Sequence, residues 1–196
     1  MLTMSRNYKF RDQNKLYFIS FATVNWIDVL TRPVYKDIIV KSILYCIENK
    51  GLEVYAWCIM TNHVHMIIGT TKNKMEFIIR DLKRHSSKEI LTTIENNTTE
   101  SRKDCLPVGR QGCYGCLGEL GKEIQIIKII IPMAIGRQQN NQPIELFSNE
   151  MMDQKLDYIH ENPVKEGIVA KPEDYLYSSA IDYSGGKGLV PIIFIE

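Results

Sequence analysis

Long apolar runs are missing from this chain of 196 residues. None approaches the roughly 20 residues that a membrane-spanning helix requires. The opening residues Met1-Leu2-Thr3-Met4-Ser5-Arg6 lack the apolar stretch of a secretory signal, so a cytoplasmic location is the expectation. Cysteine is scarce and odd in number, five in all, which argues against a disulfide framework where no export signal is seen. An excess of one charge is lacking too: 24 Lys and Arg against 23 Asp and Glu leave a formal +1. Any nucleic-acid binding must then come from a local patch and not from a global basic field. Twelve glycines and seven prolines are too few for a collagen-like or low-complexity chain. What remains is the composition of one globular domain with a real core.

The segment Leu16 to Val24 is rich in aromatic and β-branched residues and predicts a buried strand. Pro33 fits the first turn of a following helix, in which Ile38, Ile39, Ile43, Leu44 and Ile47 recur at helical spacing before Gly51 caps it. Leu52 to Met60 reads as extended, Thr61-Asn62 as a break and His63 to Gly69 as a second strand, together a hairpin. Lys74 to Leu91 turns helical again. Met75, Ile78, Ile79, Leu82 and Ile90 form its apolar stripe, and Arg80, Lys83, Arg84 and Lys88 its basic, solvent-facing side. Such a side either binds phosphates or is a solvated face. Ser148 or Asn149 caps a last helix expected to stop at Asn162, before Pro163, with Met152, Leu156 and Ile159 inward. This order predicts an α+β sandwich of helices against an antiparallel sheet.

Two clusters have chemical potential. On a strand His63 and His65 point to one face while Val64 packs on the other, and paired imidazoles can ligate a divalent metal. Ordinary surface histidines are the plainer alternative. On the last helix Tyr158 shares a face with Lys155 and Asn162, away from Leu156. Its phenol is a nucleophile if a metal polarises the electrophile, with Asn162 offering a carbonyl oxygen to that metal. A water-bonded surface tyrosine is the alternative. Cys113 and Cys116 form a lone Cys-x-x-Cys with Cys105 nearby, but a structural zinc site wants a second pair. Cys46 and Cys58 read as core positions.

Taken together, these segments look like one family. Tyr55-Ala56-Trp57-Cys58-Ile59-Met60-Thr61-Asn62-His63-Val64-His65-Met66-Ile67 resembles the signature of single-tyrosine HUH transposases, which include insertion-sequence and REP-associated tyrosine transposases. Tyr158-Ile159-His160-Glu161-Asn162-Pro163-Val164 resembles the nucleophile helix of the REP-associated branch. Asp81 to Lys88 is similar to the family's basic helix, and Gln142 to Leu146 and Pro172 to Ala180 are further matches. The likeness covers about residues 5 to 92 and 138 to 188, within a single domain of residues 1–196. It implies a ferredoxin-like or RRM-like antiparallel sheet with helices packed on one face, and a homodimer. It also implies cleavage and rejoining of single-stranded DNA near hairpins through a covalent 5′-phosphotyrosine, with Mg²⁺ or Mn²⁺. Carried over by position, His63, His65 and Asn162 would hold the metal and Tyr158 would attack the phosphate. Arg80, Lys83, Arg84 and Lys88 would track the DNA backbone. A domesticated hairpin nickase and a non-catalytic single-strand-binding module are the alternatives.

The chain departs from the family over about residues 96 to 137. Pro107 to Gly121 is glycine-rich, and Ile124 to Ile135 is mostly isoleucine, where the family has a polar stretch ending in an aromatic residue and Trp-Gln. Met133 is ATG and Ala134 begins with G, so the frame one base on contains TGG, a tryptophan codon. A local frameshift in a decayed copy explains this; a lineage-specific insertion is the competing account. The nucleotide sequence decides between them.

Overall fold

The computed structural model describes residues 10–23, 26–72, 75–100 and 142–195. Cys105, Cys113, Cys116 and the isoleucine run lie outside the described residues. Strand β1 (Leu16–Ala22), helix α1 (Pro33–Lys50), strands β2 (Leu52–Ile59) and β3 (His63–Thr70) and helix α2 (Met75–Asn96) follow in the expected order. After them come a three-residue strand β4 (Ile144–Leu146), helix α3 (Asn149–Lys165) and a short helix α4 (Ala180–Tyr183). The strands form one antiparallel sheet in the order β2-β3-β1-β4. The class is α+β.

Local signals set the ends of the elements. Pro33 opens α1, since its missing N–H would have no partner in a first turn anyway. Gly51 closes α1 at φ +72, with its N–H donating to Cys46 O. A Cβ there would stand 2.6 Å from Thr71 Oγ1, so the position demands glycine twice over. Ser148 caps α3 by accepting from the Met151 N–H at 3.2 Å. Pro163 does not end that helix as expected. The chain stays helical to Lys165, because proline in the last turn deletes only one ladder bond. The remaining carbonyls still find donors: Glu166 N–H to Asn162 O at 3.1 Å, and Ile168 N–H to Pro163 O at 2.9 Å. Helix α2 runs on to Asn96, past the expected end at Leu91, because Ile94 extends the buried stripe.

Alternation along the strands divides the sheet into two faces. Tyr17, Ile19 and Phe21 of β1, Trp57 and Ile59 of β2, and Val64, Met66 and Ile68 of β3 share one face by register, and all are buried. Helices α1 and α2 pack there; the Lys83 ammonium of α2 lies over the Phe21 ring. Phe18, Ser20, His63, His65 and Ile67 occupy the opposite face, which α3 crosses with Ile159 fully buried and Met152 and Leu156 partly so. Past α3 the chain returns along the outer edge of β2, with Ile59 N–H donating to Tyr177 O and Ser179 N–H to Trp57 O. Among the described residues no helix is long and apolar enough to cross a membrane.

Candidate active site

The hairpin and α3 bring the two sequence clusters together. Residues 63 and 65 on β3 put both imidazoles on the α3 face, with ring centroids 4.6 Å apart. Helical rotation from the buried Ile159 aims Tyr158 at them. Its Oη lies 3.5 Å from His65 Nε2, the outer limit of a hydrogen bond, and its ring centroid 5.1 Å from that of His65. Asn162, one turn further and buried, lies beside the His63 ring and acts on its pKa. Tyr158 itself is 40% exposed, so its phenol is open to a ligand from solvent. His63, His65 and Asn162 are the expected metal ligands and Tyr158 the expected nucleophile; the fold gathers all four.

The surroundings fix the protonation of the pair. Asn62 Nδ2 donates to both the Trp26 carbonyl (3.2 Å) and Asp28 Oδ1 (2.9 Å), so its Oδ1 is the end left to accept from His63 Nδ1 at 2.7 Å. That tautomer puts the lone pair of the His63 ring on Nε2. Burial pushes the His63 pKa down, partly countered by the Glu166 charge and by the neighbouring Asn162 amide. Burial also takes His65 down to about 3, helped by His63 and by the Lys155 ammonium. Both rings are therefore neutral at physiological pH, the form in which imidazole ligates metals.

The donor set fits a divalent cation. His65 Nδ1 is buried without a hydrogen-bond partner, a costly state for a ring nitrogen. Two neutral imidazoles and a carboxamide make an open set that leaves positions for water and phosphate oxygens, as Mg²⁺ and Mn²⁺ sites do. Among the described residues no three His, Cys, Asp or Glu side chains gather as a closed metal site.

Several neighbours have no signal in the local sequence. Phe18 stacks on His65 at 5.6 Å and meets the Tyr158 ring edge-on at 6.0 Å. The register of β1 against β3 puts it there, and that register is not readable locally. Lys155 Nζ stands 4.9 Å from the Phe18 centroid and 5.7 Å from that of Tyr158; Lys165 Nζ is 6.0 Å from the latter. Only the helical spacing of Lys155 and Tyr158 gives the first of these away. The expected basic stripe fares differently. Arg80, Arg84 and Lys88 are exposed on α2, but α2 lies across the sheet from the histidines. Lys83 is a correction: it is buried, only 7% exposed, with its ammonium 4.8 Å from the Phe21 centroid. The reason is that α2 packs against both α1 and the sheet, so its buried arc is wide enough to take in Ile79, Lys83, Ser86 and Ile90 together.

Comparison with known proteins agrees with this architecture. Residues 14–106 match the family described as Transposase IS200 like. No curated protein sequence matches the chain. A solved structure of a REP-associated tyrosine transposase bound to a REP hairpin shares the fold, with a TM-score of 0.58 at 16% identity over 98% of this chain and 92% of that one. A candidate transposase from Deinococcus radiodurans aligns at 23% identity over 47% of this chain and 68% of that one, its TM-score of 0.33 too low to carry an argument. Over residues 14–106 the chain is thus similar to the IS200-like transposases, and it shares its fold with the solved tyrosine transposase.

Proposed function

We propose that the protein cleaves and rejoins single-stranded DNA beside hairpins, with Tyr158 as the nucleophile. The observation that carries this reading is the meeting of Tyr158 with His65 at 3.5 Å across 93 residues of sequence. The Tyr158 oxygen attacks the scissile phosphorus; a P–Oη bond forms as the bond to the 3′ oxygen breaks. Water at the half-exposed ring takes the phenol proton, and the departing oxygen takes one to become a 3′-hydroxyl. The phosphotyrosine keeps the strand activated, so the 3′-hydroxyl of another end can reverse the step without ATP. His63, His65 and Asn162 would hold Mg²⁺ or Mn²⁺, which when bound withdraws charge from the non-bridging phosphate oxygens. Lys155 and Lys165 offset phosphate charge around the phenol, and Phe18 buttresses His65 so that the ring cannot turn away.

Arg80, Arg84 and Lys88 enter this reading as long-range attraction for the flanking backbone. Arg84→Ala with Lys88→Ala should flatten the salt dependence of binding by roughly one unit of slope for each phosphate no longer neutralised, leaving cleavage of bound DNA intact. A homodimer is part of the proposal: light scattering should return twice 22.7 kDa. The direct test is incubation of labelled single-stranded hairpins from the gene's own flanks with protein and Mg²⁺. Nicking with a protein–DNA adduct supports the enzyme. Tight binding with no adduct supports the non-catalytic module instead.

A further inference from the structure

Trp26 is held in a conformation that packing does not require. Of the two tryptophans, Trp57 is fully buried, whereas Trp26 is 51% exposed. Its backbone sits at φ +55, and it is the one non-glycine with positive φ among the described residues. A bulky residue adopts that region only when its surroundings hold it there. Here they do. Its N–H donates to Thr23 O at 3.2 Å and its carbonyl accepts from Asn62 Nδ2 at 3.2 Å. Asp28 Oδ1 ties the same turn down by accepting from Asn62 Nδ2 at 2.9 Å and from Thr61 Oγ1 at 2.8 Å.

The result is a line of rings. Trp26 meets His63 edge-on at 5.7 Å, His63 meets His65 at 4.6 Å, and His65 meets Tyr158 at 5.1 Å. An exposed indole thus stands at one end of the row whose other end is the phenol, and the Asn62 amide that fixes its carbonyl also orients His63. A buried side chain needs no such arrangement, and a random surface tryptophan would not be clamped to the metal-facing hairpin. An aromatic face held beside a phosphate site suits an unpaired base, since every base offers a π-face and stacking tolerates sequence.

We propose that Trp26 is a stacking platform for an unpaired base flanking the scissile phosphate, and thereby positions the strand for attack. This rests on the strand-cleavage reading above. It makes the substrate DNA that is single-stranded at the cut, since a base held in a duplex cannot stack on the indole.

The test uses the full chain carrying Tyr158→Phe, so that binding is read without turnover. Because Trp57 is buried, a change in tryptophan emission on adding a single-stranded hairpin oligonucleotide reports on Trp26. The expected result is saturable quenching that Trp26→Phe abolishes, with Trp26→Ala weakening Kd by about tenfold. An abasic nucleotide scanned through the unpaired positions should cost the same at one of them, and nothing further in the Trp26→Ala background. Trp26→Phe should recover most of the affinity, which a merely misfolded loop would not. If Tyr158 cuts the strand but neither the abasic scan nor Trp26→Ala alters binding, the stacking role is wrong and the cleavage reading stands. If the oligonucleotide is neither bound nor cut by the unmodified protein, both fall.

Discussion

The face of the sheet beneath α1 and α2 and the face beneath α3 are built from the same strands and furnished in opposite ways. Under α1 and α2 the inward residues are Phe21, Ile19, Trp57, Met66 and Val64, all sealed from solvent. Under α3 the fully buried Ile67 sits among His63, His65, Phe18 and Ser20, below Ile159, with a half-exposed tyrosine at the rim. Strand β3 supplies both sets by alternation, so each histidine is backed by an apolar residue one step along. Stability and chemistry are thus kept on separate sides of one sheet. A rigid core on the far side holds the imidazoles still, while the near side needs only enough contact to dock one helix at the right rotation.

The largest effect expected from breaking this division is at the rim. Tyr158→Phe removes one oxygen and should lower cleavage by at least about a thousandfold, with DNA affinity and melting temperature within error of the parent. A parallel loss of binding would mean that the phenol is a contact and not the nucleophile. Next comes the roof. Ile159→Ala leaves a cavity between α3 and the sheet and should cost roughly 2–5 kcal/mol in denaturant unfolding. It should slow cleavage as well, because Tyr158 loses its fixed bearing on His65. Full activity in this variant would show that α3 is positioned by something other than that contact.

Asn62→Ala tests the support behind the site without touching the strand core. It frees the His63 ring to change tautomer and should reduce Mn²⁺ affinity by about 10–100-fold, measured by calorimetry. The smallest effect belongs to the far face. Burial holds the Lys83 pKa well below its ordinary 10.5. The unfolded chain therefore binds that proton at a higher pH than the folded one, and stability falls as pH drops below about 10.5. Lys83→Met should raise the melting temperature by a few degrees at pH 7. Its advantage should shrink as pH rises toward 10, and cleavage of bound DNA should not change. An advantage independent of pH would show that Lys83 is not the titrating group.

Much of this is legible in the residues. The i, i+2 spacing of the histidines gives a shared face on any strand, and the spacing of Lys155, Tyr158 and Asn162 gives a shared face on any helix. Gly51 and Ser148 mark helix ends because their chemistry is local. Other features depend on partners far along the chain. Phe18 reaches His65 only through the β1–β3 register, and β4 is too short to show a period after Pro143. The Trp26 conformation is imposed by Asn62 and Asp28, which no local pattern announces. Lys83 misleads because a charge on a helix is read as exposed, whereas α2 is enclosed on two sides. Pro163 misleads because a proline in the last turn removes only one ladder bond, while Asn162 O and Pro163 O keep donors from Glu166 and Ile168.

The central claim is that a tyrosine on α3 and two histidines on β3 form one reacting unit. The measurement that addresses it most directly is peptide mass mapping of the adduct formed by the unmodified protein with single-stranded hairpin DNA and Mn²⁺. The account predicts a nucleotide mass on the peptide bearing Tyr158, absent when His63 and His65 are both changed to alanine. An adduct on any other residue, or one that survives loss of both histidines, would contradict it.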